Sequence, residues 1–121
     1  MKNKILIVDD SNFNRELLHD ILSVDYEILM AEDGIIAKQI IEEKQSEIKV
    51  ILLDLMMPRM NGKDCIKEAR AKGIKVPIVA FTAIDDPEVH QEALDAGANL
   101  VLTKPCKPNK LLSAITDLLD T

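Results

Sequence analysis

Five short runs rich in Ile, Leu and Val, at residues 4–8, 27–31, 50–54, 77–82 and 100–103, alternate with segments of helical apolar spacing, and this alternation leaves few folds open. Runs that are apolar without interruption predict strands mostly buried on both faces, the condition of a parallel sheet covered by helices. The helical stripes are Phe13, Leu17, Leu18, Ile21 and Leu22, then Ile36, Ala37, Ile40 and Ile41, then Leu111, Leu112, Ile115, Leu118 and Leu119, all expected to face the core. Punctuation agrees with this division. Asp86-Pro87 sets a capping carboxylate before a proline at a first helical position, and Ala96-Gly97 and Lys72-Gly73 place glycine just past two helix ends.

The 121 residues, 47% of them hydrophobic, suffice for one core, so a single domain over residues 1–121 is expected, without linker, repeat or low-complexity stretch. Strand-helix-strand crossovers are right-handed, which favours an α/β fold. Its five-stranded parallel sheet has the flavodoxin-like order 2-1-3-4-5 and is doubly wound with five helices. The longest apolar run, residues 50–53, falls far short of the roughly 20 residues of a spanning helix. Met1-Lys2-Asn3-Lys4 leads into no signal-like segment, so a soluble, cytoplasmic protein without membrane contact is expected. Cys65 and Cys106 match no metal spacing and read as reduced thiols. Against 15 basic residues stand 21 acidic ones, and the net charge of −6 argues against direct nucleic-acid binding.

Ligands of such sheets bind beyond the carboxyl ends of the strands, at the switch point between the first and third. There the first run ends in Asp9 and Asp10 and the third in Asp54. Two carboxylates about 4 Å apart repel by about 4 kcal/mol at an effective dielectric near 20, which demands a proton or a cation. Mg²⁺ suits oxygen ligands at exposed loop tips and is completed by waters and phosphate oxygens. Thr82 closes the fourth run and Lys104 follows the fifth, adding a hydroxyl and an ammonium at the same edge. Singly, each of these residues is ordinary as a turn, a cap or a surface charge. Together they supply what phosphoryl transfer to an acyl oxygen requires: a carboxylate nucleophile, a metal, a hydroxyl donor and a fixed cation.

The segments Ile7-Val8-Asp9-Asp10, Leu53-Asp54 through Met56-Met57-Pro58-Arg59-Met60-Asn61-Gly62, Phe81-Thr82-Ala83 and Thr103-Lys104-Pro105 resemble the signature blocks of two-component response-regulator receiver domains, over essentially the whole chain. The resemblance implies a signalling switch and not a metabolic enzyme. Asp54 is then the phosphoacceptor, taking its phosphoryl group from a sensor histidine kinase or phosphotransfer protein, and an output domain or downstream protein reads the result. By the same resemblance Asp10 and Asp54 ligate Mg²⁺ with the Met56 backbone carbonyl, and Asp9 acts through a water. Thr82 contacts the phosphoryl group on activation, Lys104 pairs with it, and the Lys104-Pro105 bond is cis.

Departures from the family pattern carry their own expectations. Where a switching Tyr or Phe is common the chain has Val101, so coupling should run through Thr82 and the loop after it. Cys106 stands where Phe is frequent and should anchor the last helix less firmly. Met56 and Ile84 occupy positions where polar side chains orient a hydrolytic water, and two apolar groups predict slow loss of phosphate. His19 and His90 read as surface histidines, Met56-Met57 as loop packing, and Asp85, Asp86 and Glu88 as a helix N-terminus.

Two readings from other classes stay open at this point. A flavodoxin-like electron carrier needs a phosphate-cradling loop and aromatics, where the chain has Asp9-Asp10 and only two Phe and one Tyr. An aspartate-nucleophile phosphohydrolase needs an acid two residues past its nucleophile, where the chain has Met56. A stand-alone regulator, a phosphorelay intermediate and a receiver cut from a longer protein all fit a sequence ending at Thr121; Asn14-Arg15 and residues 80–83 are similar to receivers of hybrid kinases and cyclic-dinucleotide enzymes. Homodimerisation through the fourth and fifth β-α faces is compatible with the sequence, but no residue argues for it.

Overall fold

The computed structural model describes residues 2–57 and 61–120. Five strands and five helices alternate: β1 (Asn3–Val8), α1 (Asn12–Leu22), β2 (Tyr26–Ala31), α2 (Gly34–Lys44), β3 (Ile48–Asp54), α3 (Gly62–Ala71), β4 (Ile78–Thr82), α4 (Pro87–Ala96), β5 (Leu100–Thr103) and α5 (Pro108–Leu119). The strands form one parallel sheet in the order β2-β1-β3-β4-β5, as the alternation predicts.

Strand alternation sorts the core into two layers. Leu6, Val8, Ile51, Leu53, Ile78 and Ala80 pack with residues of α2, α3 and α4 on one face. Ile5, Ile7, Val50, Leu52, Val79 and Phe81 pack on the other with Leu18 and Leu22 of α1 and Leu111 and Ile115 of α5. Burying each of these Leu or Ile side chains contributes roughly 1.5–3 kcal/mol, so truncating Leu52, buried on the central strand, costs roughly 2–5 kcal/mol.

One expectation is corrected. Phe13 and Leu17 are 74% and 48% exposed, whereas the stripe on α1 was expected to face the core throughout. Five apolar positions in one short helix cover more than one face; Leu18 and Leu22 reach the sheet, and Phe13 and Leu17 form a second row beside them. The strands are mostly buried on both faces, as the runs predict, with β2 the exception. β2 lies at the sheet edge, where Glu27 and Met30 are exposed. Burial depended on strand order, which the run itself does not carry. Strand boundaries differ by one or two residues; Pro77 precedes β4, and its carbonyl accepts from Ile51 N–H.

At the amino edge of the sheet, Arg70 at the end of α3 gathers the loops. Its guanidinium donates to the carbonyls of Gly97, Ile74 and Val76 and to Asn99 Oδ1, at 2.7–3.0 Å. Asn99 Oδ1 also accepts from Ile78 N–H. Gly97 has φ of +125°, and a Cβ there would meet Arg70 Cγ at 2.5 Å, so only glycine fits. The caps expected at Asp86-Pro87, Gly73 and Gly97 are present.

Candidate functional site

The site forms because four strands end together at one edge. Val8 pairs with Leu53, Asp54 with Phe81, and Thr82 with Thr103, so the residues that follow or close these strands converge. Asp9 leaves β1 with its N–H on the Ala31 carbonyl, and its Oδ1 accepts from Ser11 N–H at 2.9 Å. Ser11 caps α1, and Arg15 one turn on reaches back to the Asp9 carbonyl at 2.6 Å. Asp9 and Asp54 are buried, and Asp10 is exposed at the mouth. One carboxylate oxygen of each of Asp9, Asp10 and Asp54 lies within 4.8 Å of the others.

Lys104 Nζ bridges two of these groups, 2.8 Å from Asp9 Oδ2 and 3.3 Å from Asp54 Oδ2, and stands 5.4 Å from the Phe81 ring centroid. An ammonium over an aromatic face gains cation–π attraction, so Phe81 helps to aim the lysine. The Lys104-Pro105 bond is cis, as the resemblance implied. Asp54 Oδ1 accepts from Met56 N–H at 3.0 Å. Burial raises the Asp54 carboxyl above its ordinary pKa; the Met56 N–H and the Lys104 ammonium oppose this, and Asp9 adds to it. Thr82 is fully buried; its Oγ1 accepts from Ile84 N–H at 3.1 Å and its carbonyl from Lys104 N–H at 2.7 Å.

Asp9, Asp10, Asp54, Thr82 and Lys104 are thus brought to one edge. The three clustered carboxylates offer hard oxygen donors, which fit a Mg²⁺ ion that keeps several waters. Of the Asp54-to-Gly62 block, Pro58, Arg59 and Met60 lie outside the described residues. Met57 packs on the core, as loop packing requires, but Met56 is 60% exposed. Val101 is half-buried against the α2–α4 layer. Cys106 is partly buried against the other layer, and α5 begins at Lys107 without a side-chain capping bond.

Sequence reasoning missed four contributors. Arg15 and Phe81 act through contacts that only the fold creates, and Gly62 is needed because its backbone lies against that of Asp54 and Leu55. His90 is not a plain surface histidine, since its ring reaches the Ile84 carbonyl. His19 is half-exposed beside Asp20.

A family model described as the response regulator receiver domain matches residues 5–116. The chain is similar to the response regulator MprA of Mycobacterium sp. (strain KMS), 36% identical over 120 residues, which are 98% of this chain and 51% of that protein. It therefore spans about half the length of this relative. Similarity to the chemotaxis protein CheY of Halobacterium salinarum (strain ATCC 29341 / DSM 671 / R1) covers 98% of both chains at 32% identity. Among solved structures, the CheX-CheY-BeF3-Mg+2 complex from Borrelia burgdorferi matches with a TM-score of 0.91 at 25% identity, over 96% of this chain and 88% of that one.

Proposed function

Because the chain belongs to the response-regulator receiver-domain family, we propose that Asp54 is its phosphoacceptor and that the edge built by Asp9, Asp10, Thr82 and Lys104 serves that transfer. Membership of this family supports this reading over the electron-carrier and phosphohydrolase ones. The observation that carries the residue assignment is the Lys104 ammonium held between the carboxylates of Asp9 and Asp54.

Asp54 ionises to a nucleophile without a general base. Its carboxylate oxygen attacks phosphorus, the bond from phosphorus to the donor's imidazole nitrogen breaks, and an acyl phosphate forms while the imidazole recovers a proton from solvent. Lys104, aimed by Phe81, neutralises charge on the equatorial oxygens, and the Thr82 hydroxyl, whose own proton is available to donate, turns to the new phosphoryl group. Asp10, Asp54 and the Met56 carbonyl would hold Mg²⁺, with Asp9 acting through a water. When bound, the ion screens the carboxylates and polarises the phosphoryl oxygens. The Borrelia CheX-CheY complex, which contains BeF3 and Mg+2, supports this reading.

The protein promotes its own phosphorylation and slow dephosphorylation, and turns over no other substrate. Its donor is a sensor histidine kinase or phosphotransfer protein. The apolar groove bordered by Phe13, Leu17, Phe81 and Pro105 opens beside Lys104 and would receive the donor. An output domain or separate partner reads the change. No helix among the described residues is long and apolar enough to cross a membrane, and we place the domain with its kinase in the cytoplasm, as one domain over residues 1–121.

Incubation with Mg²⁺ and acetyl phosphate, followed by intact mass, tests the assignment. A single base-labile phosphoryl adduct that needs Mg²⁺ and is absent from Asp54→Asn is expected. An adduct that persists in the variant overturns it.

A further inference from the structure

Three hydrogen bonds fix the loop after β4. The Thr82 carbonyl accepts from Lys104 N–H, the Thr82 hydroxyl oxygen accepts from Ile84 N–H at 3.1 Å, and the Ile84 carbonyl meets His90 Nε2 at 2.7 Å. A carbonyl oxygen can only accept, so His90 carries its proton on Nε2. The backbone N–H of His90 is committed to the Asp86 carbonyl inside α4, and the Asp86 side chain caps that helix through Glu88 N–H. The ring is therefore a tether that reaches out of the first turns of α4 and over the cap, to a peptide that is no part of the helix. The Ile84 peptide is held at both ends, from the site by Thr82 and from the helix by His90.

This linkage bears on the step proposed for Thr82. In that step its Oγ1 turns to the phosphoryl group, and the Ile84 N–H bound to it either follows or is released. If Ile84 follows, its carbonyl leaves a half-buried imidazole that sits at a good hydrogen-bond distance. We infer that His90 is a positioning residue, a latch that holds the loop after Thr82 in its resting arrangement and so sets how readily Thr82 engages a phosphoryl group. The inference rests on the reading of Asp54 and Thr82 given above. A bond made only in the resting arrangement biases the equilibrium toward that arrangement, and its loss should tighten binding of a phosphoryl mimic by about two- to tenfold.

The full chain, isotopically labelled, would be titrated with beryllofluoride in the presence of Mg²⁺ and followed by NMR. The variants are His90→Ala, His90→Phe, which keeps bulk without a donor, and His90→Gln, which keeps a donor of similar reach. The Ala and Phe variants should bind beryllofluoride two- to tenfold more tightly than wild type, and the Gln variant within twofold of it. Without beryllofluoride, Ile84 and Asp85 amide exchange should quicken in the Ala and Phe variants and not in the Gln variant. Unchanged or weaker binding by both the Ala and Phe variants overturns the latch. Failure of the wild type to bind beryllofluoride at Asp54 overturns the phosphoryl reading instead, and the latch is then judged on exchange alone, where no change in the Ala variant refutes it.

Discussion

The backbone of Gly62 lies against that of Asp54, so that a Cβ on Gly62 would stand 2.5 Å from the Asp54 carbonyl oxygen and 2.6 Å from Leu55 Cα. The contact is reinforced by Gly62 N–H, which donates to the Leu55 carbonyl at 3.1 Å. Both atoms met by the added carbon belong to backbone and cannot swing aside. Gly62→Ala should therefore cost roughly 1–3 kcal/mol of unfolding free energy by urea titration, the ordinary range for overpacking. It should also lower the yield of phosphoryl adduct, because the strain falls on the residue proposed to receive it. An unchanged denaturation midpoint would show that the β3–α3 junction yields more easily than the geometry implies.

Burial raises the Asp54 carboxyl, so the folded protein holds that proton to higher pH than the unfolded chain does. Above the ordinary carboxylate range the unfolded chain binds fewer protons, and this group's contribution to stability is lost as pH rises from about 4 through the folded value. Asp54→Asn removes the buried charge and keeps an oxygen for Met56 N–H. The variant should melt higher than wild type at pH 7 without metal, and the gap should close toward pH 4. Millimolar Mg²⁺ should raise the wild-type melting temperature more than that of the variant, since only a ligand of the folded state stabilises it. A variant that melts below wild type at pH 7 would contradict this account.

The two cysteines should behave differently. Cys65 lies on the buried face of α3, and burial pushes its thiol up to about 11, whereas Cys106 is partly exposed. Iodoacetamide at pH 8 should label the native protein once, at Cys106, and twice only in denaturant. The raised Cys65 value stabilises the fold below about pH 9 and is lost as pH climbs toward 11, because the unfolded chain gives up its thiol proton first. The loss is roughly 2–3 kcal/mol. Cys65→Ala should lack that part of the alkaline decline in denaturation measurements.

Met56 and Ile84 line one cleft together with Leu55, Asn61, Lys63 and Val89. Neither side chain offers a polar atom to orient water. Met56→Asn and Ile84→Glu should each speed loss of the phosphoryl group several-fold in a time course of intact mass, with little effect on melting. Equal lifetimes for wild type and both variants would show that Met56 and Ile84 do not limit hydrolysis.

Much of the site was legible because its parts are local. Asp9, Asp54, Thr82 and Lys104 each sit where an apolar run stops, and parallel crossovers bring those stops to one edge. Asp86-Pro87 and Gly97 declare helix ends through their own backbone chemistry. What was hidden depends on neighbours chosen by the fold. Phe13 and Leu17 carry the same periodicity as Leu18 and Leu22, and only the packed sheet decides which row is covered. Met30 is exposed because its strand is an edge. His90 reaches a carbonyl across a loop whose path no pattern in the sequence describes.

Arg70 is another contact that only the fold creates, since it ties residues 74, 76, 97 and 99 at the amino edge. Burial lowers its guanidinium, yet a guanidinium stays charged at neutral pH. Arg70→Ala should destabilise by roughly 2–4 kcal/mol in thermal or urea unfolding, since it leaves several partly buried carbonyls unsatisfied. Arg70→Lys should recover little of this, because one ammonium cannot reproduce the fork. A loss below the error of the measurement for Arg70→Ala would show that solvent replaces the guanidinium freely.

The same clamp gives the domain two ends of unlike stiffness. The loops at the Arg70 end are cross-linked to one another, while at the opposite end the loop after β4 hangs on single bonds from Thr82 and His90. Under the role proposed for Asp54, a change that starts there meets fewer cross-links along the rim toward α4 than toward the Arg70 end.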